Sequence, residues 1–449
     1  MYKNLILSAK KKLKRLKPII NRLNALGIHK TSEMGNKSSH IVVTYPPIHK
    51  LKSVNNKNIY SGDLKNSNTL YIHIPFCSGV CTYCNYSRTA ISGQDKKIVE
   101  YLELLNKEAE MLCNAFSEER INVDSIYIGG GTPTMLNETN LGRLFEIINQ
   151  HYVLKYDGEY TLEASPETVT VGKTTLAHDY GVNRVSLGIE SFNDPALKSI
   201  DRRHNSKDAL KSLRKVRKGG INNVDFDLIR NLPGYTPKMM IEDIKGVNIT
   251  KPESINSNNY TIKPGSTDER RFNEMGINQE EQLLLHLIFV TGMKQLGYFQ
   301  KPVDWFIKSQ KHVYRHQILK WEKMANQLVL GLSAYGYIHD VQFINYRNLK
   351  DYKESIMNGR LPLERATRLS KEEIMRRSFI FGLKTKIDNN EFERIYGIDP
   401  IIGPFKNTLN KFVEAGGIEN SGSEIKLTEA GSLFADWIQM AFYSNDVGR

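Results

Sequence analysis

The chain has 449 residues, which is too long for one compact core, so we expect two or three domains. Its hydrophobic content of 40% and charged content of 25% are those of an ordinary globular protein. Four cysteines exclude a disulfide scaffold. No apolar run approaches the ~18 residues of a membrane span, and the start lacks a signal-peptide core. The sequence therefore predicts a cytoplasmic protein.

Residues 1–66 are predicted to form a basic leader and linker. Nine lysines and arginines precede the first acidic residue, Glu33, and account for much of the net charge of +13. Leucine and isoleucine recur near helical spacing, which predicts an amphipathic helix over residues 4–26. Two interpretations stay open: peripheral docking to a membrane surface or a partner, or packing against the rest of the chain. Residues 32–66 are polar and turn-rich, as in a linker.

Residues 67–270 alternate between short apolar runs and helical segments. Such repetition predicts βα units and a parallel sheet. Six strands suit an α/β fold with a partial, open-sided (β/α)6 barrel of the TIM type. In such folds the chemistry collects at the C-terminal ends of the strands. Strands are predicted at 70–74, 125–129, 159–163, 184–188, 224–229 and 254–260, and helices at 99–116, 141–151, 174–180 and 209–219.

The remaining third of the chain is predicted to be largely helical. Residues 271–385 would form an extension that completes the active site. Residues 386–449 resemble a small winged-helix unit, with a helix at 405–415, strands at 418–419 and 425–427, and a last helix at 432–442. The first of these helices carries only two basic residues, Lys406 and Lys411, so nucleic acid is not an expected partner.

Three cysteines directly follow the first predicted barrel strand. Cys77, Cys81 and Cys84 are spaced as Cys-x3-Cys-x2-Cys. Thiolates are the usual ligands of iron–sulfur clusters, and three of them on a four-iron cluster leave one iron open to a small molecule. Zinc is the alternative, but a structural zinc site takes four ligands, and no fourth follows at finger spacing. Cys113 lies apart, within a predicted helix, and is expected to be a small buried side chain.

The segment from Tyr71 to Cys84, with Gly129-Gly130-Gly131-Thr132-Pro133-Thr134 after the second strand, resembles the radical S-adenosylmethionine (SAM) superfamily. Within it, the chain is most similar to the oxygen-independent coproporphyrinogen III oxidase family. That family includes heme chaperones, heme-degrading methyltransferases, and two-SAM methylases and cyclopropanases. The similarity spans roughly residues 68–445 and includes the segments 163–167, 186–193, 227–229, 232–234, 260–265 and 427–431.

The resemblance implies a [4Fe–4S] cluster on Cys77, Cys81 and Cys84, with SAM at the open iron. An electron from the reduced cluster would cleave SAM to a 5′-deoxyadenosyl radical, which abstracts hydrogen from a small-molecule substrate. It also implies an electron donor such as flavodoxin or ferredoxin. We expect a monomer.

The resemblance further assigns residues to two SAM molecules. A glycine run lets the backbone approach a ligand closely, and a carboxylate at a strand end can hold an ammonium group or ribose hydroxyls. At Glu190 this chain departs from the glutamine usual in the family. The first SAM would be held by Tyr71, Tyr83, Gly130, Glu163 and Tyr335, and a second by Gly131, Thr132, Glu190, Arg202, Asp227 and Thr261.

Three functions compete within the family. The sequence favours a two-SAM methylase or cyclopropanase acting on an sp2 carbon of a secondary metabolite, because segments 79–84, 263–265, 317–321 and 333–335 look most like that branch. Coproporphyrinogen III oxidase, or another tetrapyrrole enzyme, is the first alternative, but no further cysteine follows Cys84. A heme chaperone is the second. His316 and Trp321 match a chaperone pattern in which His316 would be an axial heme ligand, but a core histidine is an equal interpretation.

Overall fold

The computed structural model describes residues 2–27, 42, 44–53, 59–60, 62–64, 67–79, 81–84, 86–90, 96–260 and 278–445. The predicted ligand residue Thr261, and most of the predicted linker, lie outside these residues.

A single large sheet organises the molecule, and its middle is the predicted partial barrel. The strand order is β1-β15-β14-β13-β12-β2-β5-β6-β7-β8-β9-β11-β10, and every pairing from β12 to β9 is parallel. All six predicted strands are present. The strands, including those of two small separate sheets, are β1 (Lys52–Ser53), β2 (Asn68–Ile74), β3 (Phe76–Cys77), β4 (Thr89–Ala90), β5 (Ile121–Gly130), β6 (Tyr152–Ala164), β7 (Arg184–Glu190), β8 (Asn223–Arg230), β9 (Ser254–Asn259), β10 (Phe299–Gln300), β11 (Trp305–Ile307), β12 (Asn326–Leu330), β13 (Tyr335–Ile338), β14 (Val341–Asn345), β15 (Leu363–Arg368), β16 (Ile387–Asp388), β17 (Ile418–Asn420) and β18 (Glu424–Leu427).

Helices join consecutive parallel strands, as βα units require. Their starts are set by side chains that accept from backbone N–H groups, for example Asn137, Thr170 and the capping box of Asn205 with Asp208. The helices are α1 (Leu5–Ala25), α2 (Lys96–Ala115), α3 (Glu138–His151), α4 (Val171–Asp179), α5 (Asp194–Ser199), α6 (Ser206–Lys218), α7 (Pro237–Thr250), α8 (Gln279–Gln295), α9 (Arg315–Trp321), α10 (Leu349–Met357), α11 (Lys371–Gly382), α12 (Asn389–Tyr396), α13 (Lys406–Ala415), α14 (Glu429–Ser432) and α15 (Ala435–Met440).

The region predicted as a helical extension contains helices α8 to α11, but strands alternate with them. Strands β10 to β15 all join the main sheet. Strand β12 pairs in parallel with β2, and β11 pairs antiparallel with β9, so this region extends both edges of the parallel sheet. The sequence analysis did not predict these strands.

The C-terminal unit contains the predicted helix α13 and the two predicted strands, β17 and β18. The single last helix predicted at 432–442 is instead two short helices, α14 and α15, and an unpredicted third strand, β16, joins the small sheet. Strands β16, β18 and β17 form it in that order, and the turn between β17 and β18 contains Gly422 at a positive φ of 85°. Phe379 of α11 stacks on Phe405, with ring centroids 4.4 Å apart, and so joins this unit to the preceding region.

The leader helix α1 packs against the rest of the chain through its apolar face. It lies against α8 and α13, and Lys12 forms an ion pair of 2.6 Å with Glu429. The opposite face exposes Lys10, Lys11 and Lys14 to solvent. Helix α1 therefore packs against the rest of the chain through its apolar inner face, and its basic outer face is exposed. The buried residues of α1 are Leu5, Ala9, Leu13, Leu16, Ile20 and Leu23.

A search of the described residues for helices of membrane-spanning length and hydropathy finds none.

Candidate active site

The cysteine loop follows the C-terminal end of β2, and an arginine side chain holds its backbone. Cys77 is 8% exposed, and Cys81 and Cys84 are half-buried. The guanidinium of Arg88 donates to the carbonyl of Cys81 at 2.9 Å and also to the carbonyl of Cys84. One side chain thus spans two of the three cysteines and fixes the curvature of the loop. The sequence analysis missed Arg88, because an arginine after a cysteine motif carries no distinctive pattern.

The cysteine loop is in direct contact with the glycine run Gly129–Gly131 at the end of β5. The N–H of Gly131 donates to the carbonyl of Ile74 at 2.8 Å, and the N–H of Thr132 to that of Phe76 at 2.7 Å. A Cβ atom at Gly131 would lie 2.6 Å from the carbonyl oxygen of Phe76 and 3.0 Å from the sulfur of Cys77. Only glycine fits this position, since real Cβ atoms do not approach backbone so closely.

Glu163 lies beside the same glycine run, at the end of β6. Its carboxylate accepts from the N–H of Gly130 at 3.0 Å and from the hydroxyl of Tyr127. Gly130 has a φ of 108°, which turns its N–H toward the carboxylate. Burial raises the pKa of Glu163 to about 7, and the two hydrogen bonds offset part of this effect.

Glu190 occupies a strained backbone position where β7 bulges against β8. Its φ is 59°, a conformation that costs a residue with a side chain about 1–2 kcal/mol. The carboxylate accepts from the hydroxyl of Tyr83 at 2.8 Å and lies 3.4 Å from the guanidinium of Arg202. Strain of this kind concentrates at functional sites.

Arg202 connects this cluster to the cysteine loop. One of its nitrogens lies 3.7 Å from the sulfur of Cys81, and another donates to Ser165 at 3.3 Å and to the carbonyl of Gly188. Its Nε is buried and has no partner among the described residues. An orphaned donor beside carboxylates is suited to a ligand oxygen.

Asp227 is the third carboxylate of the barrel mouth, at the next strand along the sheet. It accepts from Ser186 at 2.8 Å and from Asn256 at 2.8 Å. Burial, and then repulsion from Asp225, Glu190 and Glu163, raises its pKa well above the ordinary value. Strands β6, β7 and β8 thus present three carboxylates, one buried and two half-buried, that would favour a positively charged ligand.

The remaining predicted residues fall into two groups. Tyr71 and Tyr335 stack with ring centroids 6.5 Å apart. His316, by contrast, is 2% exposed, and its Nδ1 lies 2.9 Å from the hydroxyl of Ser125. Burial, then the charges of Lys320 and Arg184, lower the pKa of His316 well below its ordinary value. This environment is that of a core histidine.

Comparison with known proteins identifies the domain. Residues 71–246 match the model of the radical SAM superfamily. Over these residues the chain is similar to radical SAM domains. The cofactors of such a domain are a [4Fe–4S] cluster and SAM, as the sequence analysis predicted. The donor set fits them: three thiols close to a glycine cradle, and carboxylates that suit the ammonium and ribose groups of a sulfonium nucleotide.

The relatives cover almost all of the chain beyond the leader. The heme chaperone HemW of Bacillus subtilis is 29% identical over 380 residues, which are 83% of this chain and 98% of the relative. An oxygen-independent coproporphyrinogen III oxidase of Helicobacter pylori is 26% identical over 392 residues, 83% of this chain and 85% of that protein.

A solved structure confirms the fold. The coproporphyrinogen III oxidase HemN of Escherichia coli superposes with a TM-score of 0.75 at 23% identity, over 84% of this chain and 90% of that one. The predicted fold class, a partial radical SAM barrel with a helical C-terminal region, is therefore correct. The relatives do not support the methylase and cyclopropanase branch that the sequence analysis favoured.

Proposed function

We propose that the protein is a radical SAM enzyme that acts on a tetrapyrrole, by chemistry of the kind that oxidises coproporphyrinogen III. The observation that carries this proposal is the contact between the cysteine loop and the Gly129–Gly131 turn. It places a three-thiol site beside Glu163, at the mouth of a barrel that superposes on a coproporphyrinogen oxidase.

In this proposal Cys77, Cys81 and Cys84 hold the cluster. When bound, the cluster supplies the electron that cleaves SAM and so generates the 5′-deoxyadenosyl radical. The chain orients the reactants: Glu163 would accept from the ammonium or ribose of SAM, and the turn at Gly130 would let the backbone lie close to the ligand. The buried surroundings of these groups keep water from the reacting atoms.

A second SAM remains part of the proposal. Glu190, Arg202 and Asp227 offer acceptors for ribose hydroxyls and one orphaned N–H donor. Because Glu190 already faces Arg202, a bound carboxylate would have to compete for that guanidinium. We therefore expect the second SAM to bind more weakly than the first.

The substrate can be tested directly. Anaerobically reconstituted protein should release carbon dioxide from coproporphyrinogen III in proportion to the 5′-deoxyadenosine formed. If 5′-deoxyadenosine forms but coproporphyrinogen and other porphyrinogens are unchanged, the tetrapyrrole proposal is wrong while the radical chemistry stands.

Heme transfer is the second candidate function, favoured by the identity with HemW over nearly its whole length. A chaperone should bind heme stoichiometrically without consuming SAM. His316 is enclosed by Ser125 and the rings of Tyr127 and Tyr314, so it is not offered to an external heme in this structure. A Soret band that is lost in His316→Ala, while the fold is retained, would favour the chaperone.

We further propose a cytoplasmic monomer that is reduced by a flavodoxin or ferredoxin. The outer face of α1, with Lys10, Lys11 and Lys14, would dock on an acidic partner or an anionic membrane surface. Sedimentation with anionic but not neutral vesicles would assign this face to a membrane. Salt-sensitive reduction by flavodoxin, lost when the three lysines are changed to glutamate, would assign it to a protein.

A further inference from the structure

A continuous row of aromatic rings runs from the candidate active site to a cleft that lies between α8, α11 and the C-terminal unit. Neighbouring ring centroids lie 6.5, 5.9, 5.6, 5.4 and 5.8 Å apart along the row. Neighbouring rings are therefore in or close to van der Waals contact, so an electron can move along the row in short steps. The row consists of Tyr335, Tyr71, Tyr127, Tyr314, Trp305 and Trp321.

Tyr71 and Tyr127 each have a hydrogen-bond partner that can take part in proton transfer. The hydroxyl of Tyr71 lies 3.1 Å from Nδ1 of His73, and the other ring nitrogen of His73 lies 2.9 Å from the carbonyl of Ser87. Because a carbonyl only accepts, that nitrogen carries the proton and Nδ1 is left as an acceptor for Tyr71. Tyr127 donates to Glu163. Phenols held against acceptors in this way lose an electron and a proton together.

The far end of the row, the 4% exposed ring of Trp321, lies in the wall of a cleft. Trp321 lines a cleft of about 700 Å3 between α8, α11 and the C-terminal unit. The indole N–H groups of Trp305 and Trp321 are buried and have no partner among the described residues. Arg184 lies 4.3 Å from the Tyr314 ring and opposes positive charge there, so Tyr314 can be oxidised only with loss of its proton.

We propose that this aromatic row acts as a radical quench: it reduces the 5′-deoxyadenosyl radical when SAM is cleaved without substrate in place. The inference rests on the proposed function. Tyr71 gives its hydroxyl hydrogen atom to C5′ of the 5′-deoxyadenosyl radical, forming 5′-deoxyadenosine and a neutral phenoxyl. The step is downhill because a phenolic O–H bond is weaker than a primary C–H bond.

The remaining steps return the protein to its starting state. An electron from Tyr127 reduces the Tyr71 phenoxyl, the Tyr127 proton moves to Glu163, and Tyr71 takes a proton from solvent at the mouth. Tyr314, whose hydroxyl is hydrogen-bonded to that of Tyr127, then gives its hydroxyl hydrogen atom to the Tyr127 phenoxyl. The Tyr314 phenoxyl that results takes an electron through Trp305 and Trp321. A one-electron reductant in solution, of the low-potential class that also serves the cluster, supplies that electron at Trp321. The proton held by Glu163 returns through Tyr127 to Tyr314, so the whole sequence takes up one electron and one solvent proton.

The origin of the hydrogen atom can be measured. Holoenzyme in D2O is treated with dithionite and SAM, without substrate or thiols, and the 5′-deoxyadenosine is examined by mass spectrometry. Phenolic hydrogens exchange with solvent, whereas carbon-bound ones do not, so we expect one deuterium per molecule from the wild type. In Tyr71→Phe the labelled fraction should fall to background. Tyr180→Phe, a ring stacked on Phe145 outside the barrel, is the matched control and should label like the wild type.

Deuterium is counted per molecule of product, so a slower variant remains informative. If 5′-deoxyadenosine forms without solvent deuterium, or if Tyr71→Phe labels like the wild type, the quench is wrong. If no 5′-deoxyadenosine forms in any variant, the proposed function itself has failed, and the quench falls with it.

The path through the row has a separate spectroscopic test. Freeze-quenched samples of the same reaction should show a phenoxyl signal by electron paramagnetic resonance. Tyr314→Phe interrupts the row beyond Tyr127 without touching the mouth, so the signal should persist severalfold longer than in the wild type. An unchanged decay in Tyr314→Phe would show that the radical does not leave along this row.

Discussion

Arg88 shows how a single side chain shapes the cysteine loop. Its guanidinium donates to the carbonyl groups of Cys81, Cys84 and Tyr86 and so holds the curvature of this part of the loop. Burial raises the pKa of Cys77 to about 11 and also raises that of Cys84. Binding of iron must therefore displace protons, which couples cluster assembly to pH.

Replacing one loop cysteine tests the ligand assignment. Cys81→Ala should lose nearly all of the four-iron absorbance after anaerobic reconstitution, because two remaining thiols hold a four-iron cluster poorly. The matched control is Cys113→Ala, which removes a buried thiol in α2 that donates to the carbonyl of His151 at 3.4 Å. That variant should keep the wild-type iron content. Full iron content in Cys81→Ala would contradict the assignment.

We expect Glu163 to make the binding of SAM sensitive to pH. Burial raises its pKa to about 7, so the carboxyl is largely protonated below that pH in the free protein. A cationic ligand favours the ionised form. Affinity for SAM, measured by calorimetry, should therefore weaken by up to about tenfold for each pH unit below 7. Glu163→Gln should bind weakly at every pH and lose this dependence. A pH-dependence preserved in Glu163→Gln would assign the effect to another group.

At the level of elements, the leader helix α1 stabilises the molecule through its inner face. Leu16 is 5% exposed against the core, whereas Leu7 on the same helix is 55% exposed. Leu16→Ala should lower the free energy of unfolding by about 2–5 kcal/mol, because it leaves a cavity. Leu7→Ala should change stability little. Equal effects of the two substitutions in urea unfolding would show that α1 does not pack as described.

The regular elements of the barrel could be predicted because their patterns are strong. Each parallel strand is a compact apolar run between two helices, and the structure contains all six, longer by a few residues at most ends. Strands β10 to β15 could not be predicted in this way. They have two to six residues and pair mostly at sheet edges, where tertiary contacts rather than local pattern decide the conformation.

Only part of the candidate site could be predicted from the sequence. Cysteine spacing and the glycine run carry strong signals, since few chemistries need them. The bulge that turns Glu190 to a φ of 59°, and the contacts of Arg88 and Asn256, arise from the folded arrangement and have no local signature. The roles of the predicted SAM residues stay predictions, although the structure gathers most of them at the barrel mouth.

At the scale of the whole molecule, shared machinery made the branch of the family difficult to predict. The cluster loop, glycine run and strand-end carboxylates serve every member alike. The few residues that suggested a methylase lie partly in 261–277, outside the described residues. The full-length relatives instead combine this barrel with heme chaperone or coproporphyrinogen oxidase function. Branch assignment thus depends on the substrate cavity, which motifs describe poorly.

The central claim is that this barrel generates a radical from SAM. The most direct measurement is the yield of 5′-deoxyadenosine from anaerobically reconstituted protein with dithionite and SAM. We predict iron and sulfide at about four per chain, and more than one 5′-deoxyadenosine per chain over time. Protein that holds such a cluster yet releases no 5′-deoxyadenosine would contradict the account.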